Sequence, residues 1–148
     1  INGKEIDVIP TNQLDLEETY YQKQPIEIPP PPLGETINKP LGMLFGARSG
    51  DKGGCANIGV WAKNENAFSF LNNFLTVEKI KELMPDLREF EIDRYELPNL
   101  LSLNFYIHDI LEDGVSSNTR KDGQAKSLGE YLRAKYADIP KSLFEEKI

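Results

Sequence analysis

Two apolar runs, Gly42 to Ala47 and Ala56 to Lys63, flank the stretch R-S-G-D-K-G-G, and this juxtaposition constrains the fold more than any other feature of the chain. In the second run Ile58, Val60 and Ala62 alternate with Asn57, Gly59 and Trp61, the period of two expected of a strand buried on one face. The first run is short and apolar and reads as a neighbouring strand. Between them lie Arg48, Asp51, Lys52 and the glycines Gly50, Gly53 and Gly54, where a hairpin turn needs only about two to five residues. The expectation is a long structured loop, too long for a tight hairpin. It either cradles a ligand or joins two strands with its charges paired among themselves. Glycines let backbone N–H groups converge on an anion, and Arg48 and Lys52 add positive charge on either side. The letters do not make a P-loop, because no helix follows directly and Lys52 precedes its glycine pair.

The rest of the chain divides at Pro40. Residues 1–39 hold the consecutive prolines Pro29 to Pro32, which favour an extended, solvated polyproline II segment. Gln13 to Lys39 reads as a linker or strap, with a short strand at Glu5 to Ile9 ahead of it. From residue 40 to 148 the pattern is that of one globular domain. Asn66 is placed to cap a helix carrying Ala67, Phe68, Leu71, Phe74 and Leu75, and Thr76 a second carrying Val77, Ile80, Leu83 and Met84. Phe90, Ile92 and Arg94 alternate in a third strand that ends at Pro98. Residues 99–112 fit two templates: Leu103, Phe105 and Ile107 alternate as in a strand, while Leu100, Leu103, Ile107 and Leu111 make a helical stripe between Asn99 and Gly114. Length favours the helix. "GVSSNT" reads as a fourth strand, "RKDGQ" as a turn, and Leu128, Tyr131, Leu132 and Lys135 as a last helix. This order predicts an α+β fold, a mixed sheet with its helices packed mainly on one face.

Composition narrows the function. The chain has 148 residues, 39% hydrophobic and 28% charged, with a net charge of −7. That suits one core-forming domain and disfavours nucleic acid and anionic membranes as partners. With one cysteine, Cys55, and one histidine, His108, neither a disulfide framework nor a Cys/His zinc site can be assembled, and no metal or cofactor is assigned. No apolar run approaches the roughly 20 residues of a membrane helix, so the expected location is the cytoplasm. The start without methionine suggests that something upstream was removed or that the chain belongs to a longer polypeptide.

Individual residues give few catalytic leads. Cys55 with His108 as base is one arrangement, but a lone cysteine after glycines is more often a small buried hydrophobe. His108 with Asp51 or Asp122 is the remaining candidate set for acid–base work, and it lacks a convincing nucleophile. Arg120, Asp122 and Lys126 cluster around the "RKDGQAK" turn.

Three stretches, "ARSGDKGGCANIGV", "RYELPNLLSLNF" and "GVSSNTRKDGQAKSLG", together resemble the signatures of the C-terminal, ferredoxin-like domain of the acyclic terpene utilisation protein A (AtuA-like) family. The matching positions are Arg48, Ser49, Gly50, Asp51, Lys52, Gly53, Asn57, Ile58 and Gly59; then Tyr95, Pro98, Asn99, Asn104 and His108; then Gly114, Arg120, Asp122, Gln124 and Lys126. Asp113 and Ala125 depart from the family's glycines and Asn118 from its serine. The resemblance covers about Pro40 to Tyr136 and implies a ferredoxin-like domain that accompanies a larger N-terminal domain or subunit. It also implies a role in degrading citronellol-type terpenes through branched acyl-CoA thioesters, with no chemical step assigned to this domain. The ligand set it suggests for an anionic, CoA-type molecule is Arg48, Ser49, Gly50, Asp51, Lys52, Gly53, Asn57, Asn104, Arg120 and Lys126. The alternative is an assembly domain that packs on the larger partner or on a second copy of itself.

Overall fold

A computed structural model describes Gly3 and residues 27–145. Six strands and four helices follow in the order β1 (Thr36–Pro40), β2 (Gly46–Lys52), β3 (Cys55–Trp61), α1 (Glu65–Phe74), α2 (Val77–Leu83), β4 (Ile92–Leu97), β5 (Ser102–Ile107), α3 (Leu128–Arg133), β6 (Tyr136–Pro140) and α4 (Ser142–Glu145). Four strands form one antiparallel sheet in the order β2-β3-β5-β4, while β1 and β6 pair separately as an antiparallel two-stranded sheet. The α+β class expected from the order of elements and the ferredoxin-like architecture implied by the resemblance are present, with all the described strand pairs antiparallel where a mixed sheet was expected.

The alternation of side chains decides which sheet face is buried. Ala56, Ile58 and Val60 of β3 register with Ile107, Phe105 and Leu103 of β5, and all six are buried. They form one core with Phe68, Leu71 and Leu75 from α1 and its end and Ile80 of α2. Fully burying an aliphatic or aromatic side chain is worth about 1.5–3 kcal/mol, so this face holds the sheet to the helices. Arg94, inward on β4, donates to the carbonyls of Asn72 and Leu75 at 2.8 and 3.1 Å and ties β4 to the end of α1.

Local chemistry sets the helix ends. The Asn64 side chain accepts from the Ala67 N–H at 2.8 Å and so caps α1, two residues before the expected Asn66. Thr76 Oγ1 accepts from the Lys79 N–H at 3.1 Å and caps α2 as anticipated. Backbone and Thr76 hydrogen bonds hold the Glu78 carboxyl below its ordinary range, the behaviour expected of an acid in a first helical turn.

Four expectations fail. The R-S-G-D-K-G-G stretch is no long loop: β2 runs to Lys52, which pairs with Cys55, leaving Gly53 and Gly54 as a two-residue hairpin turn. Gly53 has φ of +68°, the positive value such primed turns require. The run before it is irregular instead, since a short 3-10 turn at Leu41–Met43 brings Leu41 and Phe45 into the core and delays β2 to Gly46. Residues 102–107 are a strand, because the position between β3 and β4 rewards pairing on both edges while Leu103, Phe105 and Ile107 reach the core together. Asn99 lies in a 3-10 turn, Pro98–Leu100, rather than at a helix start. "GVSSNT" forms turns and no strand, organised by Asn118, whose side chain donates to the carbonyls of Gly114 and Gly123 at 2.9 and 3.3 Å.

The proline-rich segment is strapped to the domain. Buried Ser69 of α1 donates its hydroxyl to the Pro29 carbonyl, and Ile28 packs on the core. Its last residues, Thr36–Pro40, form β1, so the segment read as linker ends in a strand. The strand expected at Glu5 to Ile9 lies outside the described residues.

Candidate functional site

Strand alternation sorts the predicted ligand residues onto opposite faces. Arg48, Gly50 and Lys52 register with Gly59, Asn57 and Cys55 on the face away from α1 and α2. Ser49 and Asp51 register with buried Ile58 and Ala56 and belong to the other face. Across β5 and β4 the open face continues through Ser102, Asn104 and Tyr106 to Leu97, Tyr95 and Asp93. Asn57 Nδ2 donates to Asn104 Oδ1 at 3.0 Å, so two predicted ligand residues already satisfy each other diagonally across β3 and β5.

The glycines of this region serve chain geometry. A Cβ on Gly54 would stand 2.2 Å from the Glu112 carbonyl oxygen, where Leu111 N–H also donates to the Gly54 carbonyl at 2.8 Å. One on Gly46 would stand 2.2 Å from the Trp61 ring, so its absence lets the indole lie flat over β2.

That indole is one wall of a concavity of about 480 Å³ at the β2 edge. Its lining includes Gly46, Arg48, Ser49, Trp61, Lys126 and Arg133. The close approach of α3 makes the groove: the Gly129 N–H donates to Ser49 Oγ at 2.9 Å, and Gly129 is 3.2 to 3.3 Å from the Arg48 backbone by the same Cβ measure. Arg133 spends its Nη1 on both oxygens of Glu130, at 2.9 Å each. Arg48 and Lys126 have no side-chain hydrogen bond or ion pair among the described residues, so the groove keeps two uncompensated cations in a chain of net charge −7. Trp61 and Arg133 were not among the predicted site residues. Trp61 was legible, since it alternates in phase with Asn57 and Gly59; Arg133 was not, because only the docking of α3 brings it there.

The remaining predicted residues go elsewhere. Lys52 and Gly53 are at the hairpin tip, and Arg120 is not in the groove. Asp122 accepts from the Lys126 N–H, the Ser127 N–H and Ser127 Oγ at 2.9, 2.8 and 2.6 Å. Burial would raise its carboxyl, but these Ser127 and Lys126 bonds and the Arg120 charge prevail and hold it low. It therefore orders the approach to α3.

His108 follows β5 at the far side of the open face. Its N–H donates to the Glu91 carbonyl at 3.0 Å, its Nε2 lies 2.9 Å from Asp93 Oδ2, and its ring meets Tyr106 edge-on with centroids 4.9 Å apart. The bond to Asp93 raises its pKa, burial lowers it, and the Asp93, Glu91 and Asp109 charges raise it further, for a net rise. Cys55 Sγ accepts weakly from the Asp109 N–H at 3.5 Å, and its hydrogen bond with Tyr106, followed by burial and nearby negative charge, holds the phenol above its usual value. Asp51 is on the opposite sheet face from His108, and Asp122 is committed to α3, so the three catalytic candidates do not converge.

These features define an antiparallel α+β domain with its helices gathered on one sheet face and a cationic groove at an edge strand. The chain belongs to the AtuA ferredoxin-like domain family, whose model matches residues 40–137. No curated protein and no solved structure matches it. Among the described residues no helix is long and apolar enough to cross a membrane.

Proposed function

We propose that this domain is a non-catalytic binding module of an AtuA-like protein, holding the anionic end of a CoA-type ligand in the groove between β2 and α3. The observation that carries this reading is the pair of cations without a side-chain partner among the described residues, Arg48 and Lys126, beside the Trp61 indole in a concavity of about 480 Å³. That volume is within the roughly 300–1,000 Å³ of small-molecule sites. Arg48 offers a planar fork for phosphate and Lys126 a point charge, while the indole, 40% exposed, gives a flat apolar surface for an adenine ring. The degradation of branched acyl-CoA thioesters from acyclic terpenes is the setting the family resemblance suggests, and the cytoplasm is the location read from the lack of a long apolar run. The hairpin tip with Lys52 takes no part in this binding; the groove replaces the loop as the cradle.

Trp61 is the chain's single tryptophan and reports directly on the groove. Titration with CoA and branched acyl-CoAs is expected to change its fluorescence saturably. Arg48→Glu is expected to weaken that binding by about 10-fold to 100-fold, the loss of one or two charge-assisted hydrogen bonds at about 1.5–3 kcal/mol. A Trp61 signal unmoved by any of these compounds at millimolar concentration would refute the reading.

A second reading, an assembly domain for a larger N-terminal AtuA-like domain or subunit, is supported by a different observation. Tyr95, Leu97 and Leu100 are exposed at one end of the open face, Leu100 at 68%, near Trp61 in the row Trp61, Ser102, Leu97. Leu97→Asp with Leu100→Asp should abolish association with that domain in sedimentation and leave CoA binding intact; unchanged association rules this face out.

A further inference from the structure

We propose that Glu91, Asp93 and His108 form a binding site for a divalent transition ion of the zinc and manganese type on the open face of the four-stranded sheet. The pairing of Ile92 with Ile107, extended by the His108 N–H to Glu91 carbonyl bond, sets His108 opposite Glu91. The period of two of an extended chain then places Asp93 on the same face as Glu91. One ligand atom from each of the three residues lies within 4.8 Å of the other two.

The distances suit an ion. Two ligand atoms each about 2.1 Å from a metal and subtending a right angle or a little more stand roughly 3–3.4 Å apart, and His108 Nε2 is 2.9 Å from Asp93 Oδ2. An ion displaces the hydrogen shared by that pair, which leaves to solvent, and needs little movement of either group. Tyr106 packs edge-on against the imidazole and fixes its plane. Glu91 is exposed and can swing inward, and the Asp93 and His108 side chains are 45% and 32% exposed, so three protein ligands leave the outward coordination positions to water, the pattern of an open rather than a closed structural metal site.

Ligand chemistry selects the ion. Two carboxylates neutralise a dication and suit manganese, and the imidazole favours zinc or iron(II) over magnesium and calcium, which take oxygen ligands. A single histidine excludes sites built from several Cys and His ligands, but not this mixed set. The site lies on β4 and β5, whereas the groove flanks β2 at the other edge of the sheet, so it stands or falls independently of the CoA reading.

His108 is the only histidine, so its imidazole resonances identify themselves. The full chain, untagged and stripped with chelator, is titrated with MnCl2 and with ZnCl2 while those resonances and the calorimetric heat are followed. Manganese is expected to broaden the His108 ring signals at less than one equivalent, and zinc to shift Nε2 with a stoichiometry near one. Asp93→Asn and Glu91→Gln, both surface changes that keep side-chain shape, should each weaken binding by about tenfold or more, with folding checked by circular dichroism. Unperturbed His108 signals at saturating ion, or native affinity in both variants, would overturn the site. Equally tight binding of MgCl2 would overturn the choice of ion class.

Discussion

At the residue scale, neighbouring glycines in one short stretch have different physical duties, and substitution separates them. Gly54→Ala drives a methyl into the Glu112 carbonyl, a backbone atom with no freedom to swing away, and should cost about 1–3 kcal/mol in chemical denaturation. Gly50 has open space where a Cβ would stand, so Gly50→Ala should stay within about 0.5 kcal/mol of the native chain. If both substitutions cost the same, the hairpin account of this stretch is wrong. Asp122 has a pH signature. Its folded pKa lies below its unfolded value, so its contribution is complete above the unfolded pKa near 3.9 and is lost as pH falls through the folded pKa. Between about pH 5 and pH 2.5, the melting temperature of the native chain should fall more steeply than that of Asp122→Asn; parallel curves would mean that the carboxylate adds nothing there.

At the element scale, β5 is the central fact. Its residues satisfied both a period of two and a helical stripe, since Leu103 and Ile107 fall four apart in either template. No local property separates the two. What separates them is that β5 has β3 on one edge and β4 on the other, and a helix there would leave both neighbours' backbone groups without partners. Phe105, fully buried at the middle of this strand, should lose about 3–5 kcal/mol as Phe105→Ala by calorimetry or urea titration. A loss under about 1 kcal/mol would show that the strand is not the core element described. The same strand carries Asn104 and Tyr106 outward and places His108 next to Glu91 and Asp93, so the question of helix or strand was also a question about which residues share the open face.

At the scale of the whole molecule, the strap and the last strand complete the domain. Thr36–Pro40 pairs with Tyr136–Pro140, bringing together segments about 100 residues apart and covering Ala137 and Ile139, both buried. The matched family region begins at residue 40, so a chain cut there keeps the signature stretches but lacks most of β1. A chain beginning at Glu27 should melt several degrees above one beginning at Leu41, because the shorter one uncovers β6 and loses the Ser69 to Pro29 bond. Equal melting temperatures would show that β1 and the strap contribute nothing to stability.

Local chemistry made much of this protein legible from its letters. The caps, the amphipathic helices, the alternation of β3 and the family signature all depend on residues close together in the chain. That was enough for the α+β class and for two of the polar residues that line the groove, Arg48 and Lys126. It was not enough for their grouping. A strand turns successive side chains to opposite faces, so once R-S-G-D-K proved to be β2 and not a loop, Ser49 and Asp51 parted from Arg48 and Lys52. The groove at Arg48 exists because α3 returns, 80 positions later in the chain, to set Gly129 against Ser49, and the cluster at His108 exists because β4 and β5 pair in one register and not another. Both depend on contacts between distant segments, whose free energy belongs to the packed molecule and leaves no periodic trace in the sequence.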